Sequence, residues 1–345
     1  MTHLASPRFL LLPLVALLVF SQLPAGAQET SPEASAWNPP LTSDGHPDFQ
    51  GMWTNNTATP FERPKAFADK AYLSDVELAD LQARLDKLRE ETQAGDLLAD
   101  FLIQKVLEDP EFRGFDQDTG NYNSFWLAER ELDNRTSLVI DPSNGRLPAM
   151  TPEAKKRRAA AFQGYSSAGP AGPEDLTLSV RCISYGVPNT LAGYNSFFQI
   201  LQTADHVVIL QELIHDARVI PLVDRPRLGD GIRLWHGDSR GHFEGDVLVV
   251  ETRNYSAAGS YRGASENIRV VERFTRVAAG VLEWEITFDD PSTWESPWTM
   301  MIPLERSEDS IFEYACHEGN YGLEGILAGA RAQEKTAQAA AADAG

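Results

Sequence analysis

The chain is poor in cysteine: two among 345 residues, Cys182 and Cys316, with no C-x-x-C pair. That argues against a dithiol redox motif or a cysteine zinc site. Basic charge is scarce as well, 30 Lys and Arg against 50 Asp and Glu, a formal net charge of -20. Such an acidic surface disfavours nucleic acid and anionic membranes, whose phosphates it would repel. G-x-S-x-G, the P-loop, H-E-x-x-H, a calcium loop and a Gly-rich dinucleotide fingerprint are all missing. Their absence argues against nicotinamide or ATP chemistry, and no cofactor is expected. No internal repeat is visible.

Long apolar runs are missing beyond the N-terminus. There, Arg8, the run Phe9–Phe20 and the small residues Ala25-Gly-Ala27 read as a signal peptide, too short for a membrane span. No twin arginine accompanies it. The expected product is a periplasmic or secreted protein starting at about Gln28 and, once the signal is removed, free of the membrane. In an oxidising compartment Cys182 and Cys316 form a candidate disulfide, worth roughly 4–5 kcal/mol in the chain-entropy model. The alternative is one catalytic or two inert thiols.

What is present divides into 1–27 signal, 28–45 linker, 46–195 an N-terminal strand with a helical and aromatic lid, 196–324 strands, and 325–345 a C-terminal helix and tail. Ser74 and Glu77 form a capping box for a helix over 74–91. A second helix is predicted over 96–107, and an aromatic loop with Phe112, Phe115, Tyr122, Phe125 and Trp126 follows. A strand over 136–140 and a third helix from Thr151-Pro152 complete this part. Lys155, Lys156, Arg157 and Arg158 on that helix read as a solvated face.

From Ser196 the pattern becomes apolar or alternating runs joined mostly by short turns: 197–202, 206–212, 218–223, 246–252, 267–277, 281–289, 298–304 and 311–316. Eight antiparallel strands close naturally into a mainly β up-and-down barrel whose interior holds one small ligand. A β-sandwich is the rival.

Three polar knots sit at strand ends. Glu212–Arg218 offers His215 as acid or base and Arg218 to steady a developing anion. Asp238–Asp246, set among glycines, offers Arg240, His242, Glu244 and Asp238. Glu313–Tyr321 adds Tyr314 and His317. The expectation is that His215 or His242 is the base, Asp216 or Glu244 orients it, and Arg218, Arg240, Asp238, Tyr314 and His317 bind substrate. His215, Arg218, Arg240, His242 and Glu244 are expected to converge on one cavity walled by aromatics from 111–126 or 194–198. In a rival metal-dependent oxygenase or hydrolase, three of His215, His236, His242, His317 and Glu244 would ligate zinc or iron.

Two resemblances sharpen this. Gly51-Met-Trp53 after Asp48 resembles the opening of calycin (lipocalin-type) barrels, where the tryptophan closes the floor. The set NRTSLVIDP-x-NGR, RCI, IHDAR, GDSRGHFEGD-x-LVVET-x-N and YACHEGNY, over about 38–332, resembles a family of exported bacterial calycin-like proteins. These motifs are specific to the family and not to one activity. A fainter resemblance is to cofactor-independent aryl β-etherases, which act on lignin-type ethers; no catalytic residue carries over. The ionisable knots at strand ends, together with many aromatic residues able to line a cavity, point to an exported, cofactor-independent lyase or isomerase acting on a hydrophobic, aromatic small molecule. A homodimer is compatible with these features. The alternative is a lipocalin-like binding protein without catalysis.

Overall fold

The computed structural model describes residues 37–92, 130–167, 169–259 and 261–343. The segments read as signal peptide, as a helix over 96–107 and as the aromatic loop 111–126 lie outside the described residues. From Asn38 onward the described residues belong to one unit.

Ten antiparallel strands form one sheet. They are β1 (Gly51–Thr54), β2 (Val139–Asp141), β3 (Phe197–Gln202), β4 (His206–Gln211), β5 (Ala217–Pro221), β6 (Asp238–Glu244), β7 (Val247–Arg253), β8 (Arg269–Ala278), β9 (Val281–Asp289) and β10 (Trp298–Ser307). The hydrogen-bonded order is β5-β4-β3-β1-β10-β9-β8-β7-β6, with β2 paired to β10. Eight strands closing into a barrel are therefore corrected to ten in a sheet whose ladder does not close. The two additional strands are β1 and β2 from the N-terminal part, which join the sheet, while within 196–324 one expected strand is lost and another gained. Residues 311–316, expected as a strand, are irregular, with Phe312 exposed. Asp238–Glu244, read as a glycine-broken loop, is a strand.

Gly241 explains the second misreading. A Cβ there would sit 2.9 Å from Leu222 and 3.0 Å from Ile220. The glycine serves close approach of β6 to β5 and not a turn. Arg218 on β5 also reaches Ser239 on β6 at 3.1 Å. Residue 218 thus faces 239, and 220–222 face 241, so the two edge strands run in the same direction. The connection 222–237 must travel back along the sheet to permit this.

Alternation sets the core as expected. In β9, Leu282, Trp284, Ile286 and Phe288 are buried and the residues between them half-buried. Phe274 stacks on Trp284 at 5.5 Å and Phe198 meets it edge-on at 5.9 Å. The space left between Phe198, Arg218 and Trp284 is about 10 Å³, room for about one water. The interior is packed, and the ligand expected inside it has no room there. At the lower end Trp53 is fully buried, donates from Nε1 to the Phe49 carbonyl at 2.9 Å, and has Arg276 and Arg306 near its ring.

Helix α1 (Asp75–Thr92) starts at the expected capping box, with Ser74 Oγ donating to Glu77 Oε2 at 2.8 Å. Helix α2 (Pro152–Ser167) is capped by Thr151, which accepts from the Ala154 amide at 3.1 Å. Helix α3 (Tyr321–Asp343) follows the sheet. Among the described residues no helix is long and apolar enough to cross a membrane.

Candidate active site

The connections around residues 212–216, 236–238 and 254–268 come together, with His236 against Asp216 and Gly259 packed on Trp235. Asp216 follows a turn in which Ile214 and His215 take φ values of 59° and 45°. Non-glycine residues hold that conformation only where their surroundings enforce it. Here the Gln211 amide donates to the Asp216 carbonyl at 2.9 Å, which fixes the turn.

Buried Asp216 accepts from Ser184 Oγ through Oδ2 at 2.8 Å. Ser184, 1% exposed, also accepts the Gly186 amide at 2.9 Å. His236 Nε2 lies 2.7 Å from the same Oγ and 3.4 Å from Asp216 Oδ2. A hydroxyl has one proton, and Asp216 takes it. With that proton directed to Asp216, Nε2 is the protonated nitrogen and donates to Ser184. That leaves Nδ1 as the basic nitrogen, with no partner among the described residues. His236 is half-buried.

A cavity of about 400 Å³ is lined by Tyr185 and Gly186, the residues that follow Ser184, while Ser184, Asp216 and His236 are not among its lining. Phe61, Tyr185, Tyr261 and Met300 wall it, and Asn189 and Arg262 are among its polar lining. Two segments join cavity and histidine. Tyr185 and Gly186 line the cavity directly after Ser184. Tyr261 and Arg262 line it two and three residues after Gly259, whose Cβ, if present, would lie 2.7 Å from the Trp235 Cα. Only glycine lets the 257–259 turn pack so closely on the chain carrying His236.

Known protein families, curated proteins and solved structures contain no match to this chain. The chemistry must be read from the residues themselves.

The expected site residues divide among several places. His215 is exposed and donates from Nδ1 to the Tyr314 carbonyl at 3.2 Å. Tyr314 lines a separate cavity of about 650 Å³ with Tyr194, Asn195, Cys182 and Cys316. His317 is exposed nearby in sequence. The two cysteines form the expected disulfide, Cα to Cα 5.6 Å, although Cys316 lies in a turn and not on a neighbouring strand.

Arg218 is buried inside the sheet. Nη1 donates to Glu272 Oε1 at 3.0 Å and Nη2 to Thr252 Oγ1 at 3.3 Å, while Trp284 Nε1 donates to the same carboxylate at 3.1 Å. Burial works against the Arg218 charge, and Glu272 more than offsets it, leaving the guanidinium above its ordinary pKa. Burial also pushes the neighbouring Tyr255 phenol up. Arg240 turns to the other face, paired with Asp238 and the Ser239 carbonyl.

His242 and Glu244 lie further along β6, exposed and bonded to each other at 3.1 Å. Arg273, then His242, hold the Glu244 carboxyl below its usual range. Six residues of strand separate the level of His215 from that of His242, roughly 20 Å at about 3.3 Å per residue. The five groups expected to converge do not, because β5 and β6 run in the same direction. Among the described residues no three His, Cys, Asp or Glu side chains gather as metal ligands.

Ser184 and Arg262 carried no expectation from sequence, and His236 entered only as a metal candidate. Asp216 contacts a histidine, but it is His236. The one available signal was the presence of His236 in the densest polar motif. Its pairing depends on the backward path of 222–237.

Proposed function

We propose that the protein is an exported, cofactor-independent acid–base enzyme acting on a hydrophobic, aromatic small molecule, with His236 as the base and the cavity lined by Tyr185 and Tyr261 as the ligand site. The observation that carries the reading is the tether on His236 Nε2 from Ser184 and Asp216, which leaves Nδ1 to act. A base held by a second group that is itself held matches the arrangement general-base catalysis requires. The cavity volume falls within the roughly 300–1,000 Å³ common for small-molecule sites.

The reaction class is elimination or isomerisation. His236 Nδ1 takes a proton from carbon, and the C–H electron pair forms a double bond. In an aryl ether the C–O pair leaves with the aryloxide, which the imidazolium reprotonates, so no oxidant or reductant is needed. Asp216 and Ser184 position the ring. The calycin kinship remains part of the proposal, supported by the burial of Trp53 under Arg276 and Arg306. The disulfide agrees with export.

A lipocalin-like binding role is the second reading, since the cavity needs no chemistry to hold a ligand. A panel of aryl ethers and aryl ketones incubated with the protein and read by mass spectrometry separates the two. Consumption of a compound supports the enzyme. Binding of several with consumption of none leaves the carrier.

A further inference from the structure

Among the described residues the charged lining of the 400 Å³ cavity is Arg130 and Arg262, without a carboxylate. That is notable in a chain with 50 acidic residues and 30 basic ones. Arg130 gives Nε and Nη2 to the Thr57 carbonyl at 2.9 and 2.6 Å, so part of its capacity goes to the fold. Arg262 differs. Its Nε donates to the Tyr261 hydroxyl at 3.2 Å, and that hydroxyl lies 2.8 Å from Thr190 Oγ1. Its guanidinium carbon lies 3.8 Å from the centroid of the Phe61 ring. Among the described residues no acidic side chain pairs with it, and its two Nη groups have no protein partner.

Three features make this more than a solvated arginine. The ring of Phe61 and the Tyr261 hydroxyl hold the planar fork in one orientation, so little side-chain freedom remains to be lost on binding. The backbone of Arg262 takes a φ of 51°, a strained conformation for a side chain of this size. Arg262 also lines a second cavity of about 780 Å³ that, among the described residues, carries Arg157 and Arg158 against a single Glu266. The local charge is positive where the molecule as a whole is strongly negative.

We propose that this cavity selects an aromatic carboxylate, with the ring against Tyr185 and Tyr261 and the carboxylate on the Nη groups of Arg262. Two parallel N–H donors match the two oxygens of a carboxylate, a geometry an ammonium cannot copy. The proposal rests on the reading of this cavity as the ligand site and not on the catalytic role of His236. Arg262 is thereby the residue that determines specificity.

The test is calorimetric titration at low ionic strength with benzoate, the near-isosteric neutral benzamide, and acetate, on the full chain and on Arg262→Gln and Arg262→Lys. Benzoate is expected to bind more tightly than benzamide or acetate. Arg262→Gln is expected to weaken benzoate roughly 10–100-fold, the value of a charge-assisted pair, and to leave benzamide unchanged. Arg262→Lys, which keeps the charge and loses the fork, falls between. Thermal melts of both variants close to that of the parent show that the fold persists. Equal affinity for benzoate and benzamide, or benzoate binding untouched by Arg262→Gln, overturns the carboxylate proposal and leaves the cavity reading intact. If neither ring compound binds, the cavity reading falls and the proposal with it.

Discussion

Arg218 on β5 donates from Nε to the hydroxyl of Ser239 on β6 at 3.1 Å, although the two strands share no backbone ladder. Its other nitrogens reach Thr252 on β7 and Glu272 on β8. One buried side chain thus ties together the two ends of an open sheet. The arginine that the IHDAR motif offered as a substrate clamp is spent on the fold.

Removing one half of such a pair leaves an uncompensated charge in the core. Arg218→Met is expected to cost about 3–5 kcal/mol, and Arg218→Met with Glu272→Leu much less than the sum of the single changes. Urea denaturation of the parent, both single variants and the double variant measures the coupling. Additive losses, or a single loss under about 1 kcal/mol, would mean that the pair does not hold the edges together.

The Cys182–Cys316 bridge spans 134 residues. In the chain-entropy model a loop of that size gains about 5 kcal/mol from closure. The untreated protein is expected to weigh two hydrogens less than the reduced one and to melt at lower temperature after reduction. Two titratable thiols in the denatured, unreduced chain would remove the bridge from the account.

Acid stability has a local source at Asp290, which links the β9–β10 and β7–β8 connections. Its carboxylate accepts the Ser265 amide at 2.6 Å and the Ser292 and Thr293 hydroxyls at 2.6 and 2.5 Å. Burial works to raise its pKa, and these donors more than offset it, so the net shift is downward. A carboxyl with a depressed folded pKa binds fewer protons folded than unfolded. Its stabilisation is complete above the unfolded pKa of about 3.9 and is lost as pH falls through the lower folded value. Asp290→Asn is expected to cost about 2–3 kcal/mol at neutral pH, and its gap from the parent should shrink below about pH 4. A gap of equal size at both pH values would contradict the assignment.

Alternation made much of the sheet legible. β3 and β9 lie at the predicted residues, and β4, β5, β7, β8 and β10 differ only at their ends. The capping box at Ser74 and the proline start of α2 were equally plain. Asp238–Glu244 was hidden because glycine at 241 and 245 reads as a turn when the neighbouring strand that demands Gly241 is unknown. The site failed for the same topological cause. Whether two polar turns share a rim depends on strand direction. The long 222–237 connection, which reverses the expected direction of β6, carries no local signature of its path. Ser184 had no signal, since a serine after Cys182-Ile183 is ordinary until Asp216 and His236 arrive from 32 and 52 residues away.

The central claim is that His236 is the base. Its most direct test is the turnover of whichever aryl compound the protein consumes, by the parent and by His236→Ala, with His242→Ala as the comparison. The account predicts a loss of roughly 10²–10⁴-fold in kcat for His236→Ala, a smaller loss for Asp216→Asn through a misheld ring, and no change for His242→Ala. Undiminished kcat in His236→Ala would contradict it.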